Sequence, residues 1–282
     1  MNIVQGDETP LKRQLEYRGG IFHGRWLLEG PSGKIDNFLL GIGVSQGDFY
    51  SPRHRHNFEQ IRVQLDGALR YDRDGTMSAG TVGYFPEGVF YGPQSQDPQE
   101  ISTVAVLQFG GASGSGFLSN AETRKAMEEL NELGEFKDGV FRRHEPLFGK
   151  KNVDGNQAIW EHHNNRPISF PDPRYPSPIL MDPNNFAWIP IEGAAGAYEK
   201  LLGVFTERRT EAKLLKVERD ASLTIQSDGV YLVLRGAGTV HDQPLRSQTA
   251  WHLSGGESVE VKAHEECEIM CFGLPNLEGL SS

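Results

Sequence analysis

Apolar residues fall in short runs between Phe38 and Phe109. Examples are Phe38-Leu-Leu-Gly-Ile-Gly-Val44, Gln60-Ile-Arg-Val-Gln-Leu65 and Ser102-Thr-Val-Ala-Val-Leu-Gln-Phe109. Turns rich in Gly, Pro and Asp separate them, the pattern of a sandwich or barrel of short strands. Gly110-Gly-Ala-Ser-Gly-Ser-Gly116 then predicts a flexible break. Ser119-Asn-Ala-Glu122 has the form of a capping box, in which both side chains satisfy orphan amides at a helix start. Ala126, Leu130 and Leu133 keep helical spacing after it, and Gly134 stands where a C-cap belongs.

Residues 135–185 show no sustained period and include the Pro-rich run Asn164-Asn-Arg-Pro-Ile-Ser-Phe-Pro-Asp-Pro-Arg-Tyr-Pro176. Prolines favour extended backbone, so this stretch is expected to be an irregular connector. From about Phe186 the strand pattern resumes, as in Lys213-Leu-Leu-Lys-Val217, Gly229-Val-Tyr-Leu-Val-Leu234 and Glu268-Ile-Met-Cys-Phe272. The pattern predicts an all-β protein: an N-terminal barrel over 1–117, a helix and connector over 118–185, and a second barrel over 186–282. Residues 1 to about 30 read as an arm leading into the first strands. Each β region has an aliphatic strand ending in Asp66-Gly67 or Arg235-Gly236, which suggests an ancient duplication.

Composition narrows the function classes. The formal net charge is -10, from 28 Lys+Arg against 38 Asp+Glu. That argues against nucleic acid or an anionic membrane as partner, since both need a basic surface. The polar, acidic N-terminus is unlike a signal peptide, and no apolar run is long enough to span a bilayer. Cys267 and Cys271 lie about 13 Å apart along a strand, too far for a disulfide with each other. A reduced, cytoplasmic setting is the simplest expectation.

The chemistry concentrates in Ser51-Pro-Arg-His-Arg-His-Asn-Phe-Glu-Gln60. His54 and His56 fall on one side of an extended segment, because strand side chains alternate. Neutral imidazole is the commonest metal-binding side chain, so the pair predicts half of a metal site. If Gln60 points into the barrel, alternation turns Arg62 and Gln64 inward as well. An inward Arg62 offers a planar fork to a carboxylate or enolate, or else pairs with a barrel carboxylate.

This region resembles the cupin family of jelly-roll barrels. Gly47, His54, His56, the following Gln60 and Gly67 follow the family's first motif, with one extra residue before the histidines. Gly80, Pro86 and Gly88 fall in register with its second motif, which ends here at Tyr91. The resemblance implies that His54 and His56 are metal ligands. It places Gln60 where the family usually has Glu, and Tyr91 where it has His. Such a set suits Fe(II), Mn(II), Ni(II), Cu(II) or Zn(II) less strongly than the family's own, with Fe(II) favoured by analogy alone. Glu59 would join only if a one-residue bulge turned it inward.

In the same register the second β region offers Leu223 and Ile225 at the His positions and Gly229 at the Gln position. Tyr231 and Val233 replace Arg62 and Gln64, and Val259 replaces Tyr91. This half resembles a cupin barrel without ligands, expected to support the first barrel or form the face of a homodimer. The adjacent pair His162-His163, read on extended backbone, points to opposite faces and is poorly placed for chelation.

The resemblance implies a metal-dependent enzyme for a small acidic or enolic molecule, with an oxygenase preferred. His54, His56, Gln60 and Tyr91 would form the shell, Arg62 would orient the substrate, and Gln64 would line the pocket. The alternatives are an isomerase, lyase or hydrolase using Tyr91 and a histidine as acid and base, and a non-catalytic sensor.

Overall fold

The computed structural model describes residues 1–13 and 18–280. The chain is mostly β, with 49% of residues in strands and 10% in helix. It divides into two compact units. One comprises 11–24, 29–180 and 279–282; the other comprises 1–10, 25–28 and 181–278. None of the described helices is long and apolar enough to cross a membrane.

The unit that carries the histidines is built on a ten-stranded sheet. At its centre the strand Phe58–Asp66 lies between Val82–Phe85 and Ile101–Gly110, and the latter pairs onward with Phe38–Ser51. All pairings are antiparallel, with Gln60 opposite both Gln108 and Phe85. These are the runs dense in Val, Ile, Leu and Phe, which fit a pleated, half-buried surface. Phe38, Leu40, Ile42, Ile61, Val63, Leu107 and Phe109 are all buried. Gly67 turns the chain at the end of the site strand with φ +65°, where a Cβ would stand 2.2 Å from the Ile101 carbonyl oxygen. Only glycine satisfies both demands.

The expected helix is present as α1 (Asn120–Leu130), with the complete capping box. Ser119 Oγ accepts from Glu122 N at 3.1 Å and Glu122 Oε2 accepts from Ser119 N at 2.7 Å. Replacing Ser119 by Ala should cost about 1 kcal/mol, read as a lower urea midpoint with an unchanged slope. The helix stops earlier than its spacing predicted. Leu133 is 48% exposed, and Gly134 begins a strand instead of capping the helix.

Residues 135–165 differ from the irregular connector expected of them. Strands Gly134–Lys137, Val140–Leu147 and Lys150–Asp154 form a three-stranded antiparallel sheet, and α2 (Gly155–Asn164) follows. The signal lay in the turns. Asp138-Gly139 and Phe148-Gly149 each have positive φ at both residues, the requirement of a two-residue hairpin. Phe141, Val153, Ala158 and Ile159 then share one core with Ala126, Met127 and Leu130 of α1. Arg143 and Glu161, both buried, pair within this module at 2.6 Å. His162 and His163 therefore lie on a helix and not on extended backbone. Their ring nitrogens reach Glu129 and Glu122 of α1 at 2.7 and 3.8 Å. Only from Arg166 to Pro178 does the Pro-rich run keep to irregular backbone.

The other unit contains a seven-stranded and a four-stranded antiparallel sheet. Residues 1–10, read from the sequence as part of the arm to the N-terminal barrel, cluster here, and Asn2–Gln5 pairs with Thr249–Leu253. Leu223, Ile225, Tyr231, Val233 and Val259, the residues in register with the candidate site of the first half, belong to one buried core with Trp251. Tyr231 and Trp251 stack at 5.2 Å with an interplanar angle of 7°. Cys267 and Cys271 are buried free thiols.

Candidate functional site

The two sequence motifs meet through the backbone. His54 and Tyr91 form an isolated antiparallel bridge, with His54 N to Tyr91 O and Tyr91 N to His54 O both at 3.0 Å. Gly88 N donates to the His56 carbonyl at 2.8 Å. This pairing brings the side chains together. The rings of His54 and His56 lie edge-on at 4.8 Å, and Tyr91 lies 4.6 Å from His54 and 6.0 Å from His56. All three residues are buried.

Strand alternation does the rest. Arg62 reaches Gln60, two residues away on the same face, with Nε and Nη2 donating to Gln60 Oε1 at 2.9 and 2.6 Å. Nη2 also donates to Tyr91 Oη at 3.1 Å. The guanidinium carbon stands 4.0 Å from the Phe85 ring centroid and 5.2 Å from that of Tyr91, both cation–π distances. Three of the five N–H bonds of this buried cation are thus engaged. Its Nη1 donates to no acceptor among the described residues. Gln64 lies farther along and turns its amide to the Asp66 carbonyl and Ser102 Oγ, at 2.8 and 2.7 Å.

Glu59 stays on the opposite face. The register shift in the pairing of Phe58–Asp66 with Ile101–Gly110 falls near Asp66, so no bulge turns Glu59 inward. There its Oε1 accepts from Ala112 N at 3.4 Å. Glu87, also buried, accepts from Ser113 N and Oγ and from Arg174 at 2.7 Å. Burial, followed by the charge of Glu59, raises the Tyr84 pKa far above the usual phenol range.

Electrostatics keep both imidazoles neutral. Burial is the main cause that holds His54 down at about 3, and the positive charge of Arg18 adds to it. Burial and then His54 lower His56 as well. His54 Nδ1 lies 2.6 Å from the Pro52 carbonyl, which makes it the protonated nitrogen and leaves the Nε2 lone pair available. His56 Nδ1 is buried with no hydrogen-bond partner among the described residues.

Sequence reasoning missed two neighbours, Arg18 and Asp154, which pair at 2.6 Å. Burial raises the Asp154 carboxyl, but Arg18 and then the two histidines outweigh it and hold it at about 2. Asp154 caps α2 by accepting from Asn156 N at 2.9 Å. An N-cap before Ala158-Ile159-Trp160 was a legible signal; nothing in the sequence ties Arg18 to it.

No protein-family model matches this sequence, and no curated protein matches it. Solved structures do. A "putative dioxygenase" from Nostoc punctiforme superposes with TM-score 0.65 at 13% identity, covering 99% of this chain and 84% of that one. Oxalate decarboxylase from Bacillus subtilis gives 0.56 at 14%, covering 97% and 76%. A bacterial pirin from Escherichia coli, in complex with nickel(II), gives 0.55 at 9%, covering 98% and 99%. The fold is that of the cupins. At these identities the likeness carries the fold, while the chemistry rests on this chain's own side chains.

Those side chains fit a divalent metal only in part. His54 and His56 are neutral, buried and adjacent, and the Pro52 contact orients His54 as a ligand is oriented. The oxygens of Gln60 and Tyr91 accept hydrogen bonds from Arg62, and that guanidinium brings a positive charge into the same cluster. Among the described residues, no three His, Cys, Asp or Glu side chains group so as to hold a metal ion. As arranged, the four residues do not fit a four-ligand metal shell.

Proposed function

We propose that this cupin is an enzyme acting on a small organic acid or its enolate by proton transfer, with Arg62 as the anion-binding group. The observation that carries this reading is the guanidinium clamped by Gln60, Tyr91 and Phe85, with Nη1 left without a partner among the described residues. The two open N–H bonds of Nη1 can donate charge-assisted hydrogen bonds to carboxylate or enolate oxygens. His54 Nε2 takes a proton from the carbon beside a carbonyl, the electron pair moves onto the carbonyl oxygen, and Arg62 stabilises the resulting enolate. The proton then returns to a different atom or leaves with a departing group. A bound anion offsets Arg18 and Arg62, whose charges depress the imidazole, and so raises its basicity when substrate is present.

The second reading is a metal-dependent oxygenase. It is supported by the Pro52 contact that points the His54 Nε2 lone pair away from the backbone. Bacillus subtilis oxalate decarboxylase, a structural relative, has Mn(II) centres. In this reading His54 and His56 hold a divalent transition metal, Fe(II) by preference, and Gln60 and Tyr91 must leave Arg62 to join them.

One experiment separates the two. Protein stripped with chelator and desalted is titrated with small 2-oxo and hydroxy acids, and exchange of their C–H protons is followed by NMR in D2O. Metal-free binding with exchange is expected. Binding that returns only with added metal, together with oxygen uptake, would replace proton transfer by the oxygenase.

A further inference from the structure

Gln60 and Tyr91 stand where the cupin pattern supplies its remaining ligands, and both give their oxygen to one guanidinium. We propose that Arg62 is a built-in cation that takes the place of the divalent metal and closes this pocket to metal ions. The inference rests on the acid-binding reading in treating Arg62 as the pocket's resident charge.

Position, charge and packing support it. Gln60 Oε1 is the only oxygen of that side chain, and it accepts two hydrogen bonds from Arg62 at 2.9 and 2.6 Å. A metal there would have to displace both. The Tyr91 phenol binds a metal well only after losing its proton, and it too accepts from Arg62. The guanidinium repels a divalent cation at the imidazoles, in surroundings that screen charge poorly. Arg62 has little freedom to withdraw. It is 7% exposed, its strand is paired on both sides through Val106 and Gly83, and Phe85 and Tyr91 lie against the guanidinium. In return the fixed cation supplies the stabilisation of an anionic ligand that a metal would give, through the two N–H bonds of Nη1 and with no vacant coordination position for oxygen.

The test is to remove the cation and look for the metal site. The wild type, Arg62→Met and Arg62→Gln are titrated with Ni(II) by calorimetry, and their metal content is measured after desalting. Circular dichroism checks that each is folded. Arg62→Gln can still donate to Gln60, which keeps the experiment open should the methionine variant not fold. The wild type should retain no stoichiometric Ni(II). The Arg62 variants should take up one equivalent, about a hundredfold more tightly than wild type, and adding His54→Ala should abolish the gain. Stoichiometric Ni(II) on wild type that depends on His54 overturns the inference. So do folded Arg62 variants that bind no more tightly than wild type. Acid titration of the wild type is scored separately. If wild type binds acid while the variants gain no metal, only this inference falls. If wild type binds no acid, the acid-binding reading falls, whatever the metal does.

Discussion

Lowering the pH from 7 towards 4.5 should destabilise this protein steeply, and replacing His54 and His56 together by Gln should remove most of that slope. The folded state holds His54 at about 3 and lowers His56 in the same direction, chiefly by burial. An unfolded imidazole titrates near its ordinary value of 6.5. Between these values the unfolded chain binds more protons than the folded one, so stability rises with pH and is lost as pH falls from about 6.5. Each imidazole contributes about 1.4 kcal/mol per pH unit within that window. Over two units the pair amounts to about 5 kcal/mol as an upper figure, comparable to the whole stability of a small domain. Asp154 acts in a different range. Its folded pKa of about 2 lies below the ordinary 3.8, so its contribution is present above 3.8 and fades only as pH falls towards 2. The difference in urea midpoints between wild type and the double variant from pH 7 to 4.5 therefore isolates the two histidines. Parallel pH slopes in wild type and the double variant would show that the imidazoles are not held neutral by the fold.

The sequence was most legible where chemistry and backbone demand coincide. His54, His56, Gln60, Arg62 and Tyr91 come together because alternation along Phe58–Asp66 and the motif glycines constrain the chain directly. The apolar interior of the other unit was readable for the same reason, since Leu223, Ile225, Tyr231 and Val233 keep the strand register. What stayed hidden depends on contacts between distant residues. The pairing of Asn2–Gln5 with Thr249–Leu253 joins the two ends of the chain, and no local pattern encodes it. Arg18 meets Asp154 across 136 residues. The connector was a different failure, because one of its two hairpin turns was visible as Asp138-Gly139. Dense polar and proline content masked a module whose core needs only a few apolar side chains from each element. The partner of Arg62 was the subtlest point. The sequence offered a ligand or a barrel carboxylate, and the structure supplies a neighbouring amide and a phenol instead.

That last distinction makes Arg62 the residue with the largest expected effect on binding. Arg62→Met should weaken affinity for small carboxylates by about 100- to 10,000-fold, because two charge-assisted hydrogen bonds of about 1.5–3 kcal/mol each are lost. Arg62→Lys should recover only part of this, since one ammonium must share three donors among Gln60, Tyr91 and the anion. Tyr91→Phe should cost far less, about fivefold, because Tyr91 touches the guanidinium and not the bound anion in this scheme, and its loss removes one positioning hydrogen bond of about 1 kcal/mol. The folded state should tolerate Arg62→Met. Gln60 Oε1 and Tyr91 Oη lose a donor, at about 1–3 kcal/mol each, but the cost of burying a cation disappears with it. Calorimetric affinities for one acid across the three variants check the ranking. Equal losses in Arg62→Met and Tyr91→Phe would show that the phenol binds the ligand itself and that Arg62 serves to hold Tyr91.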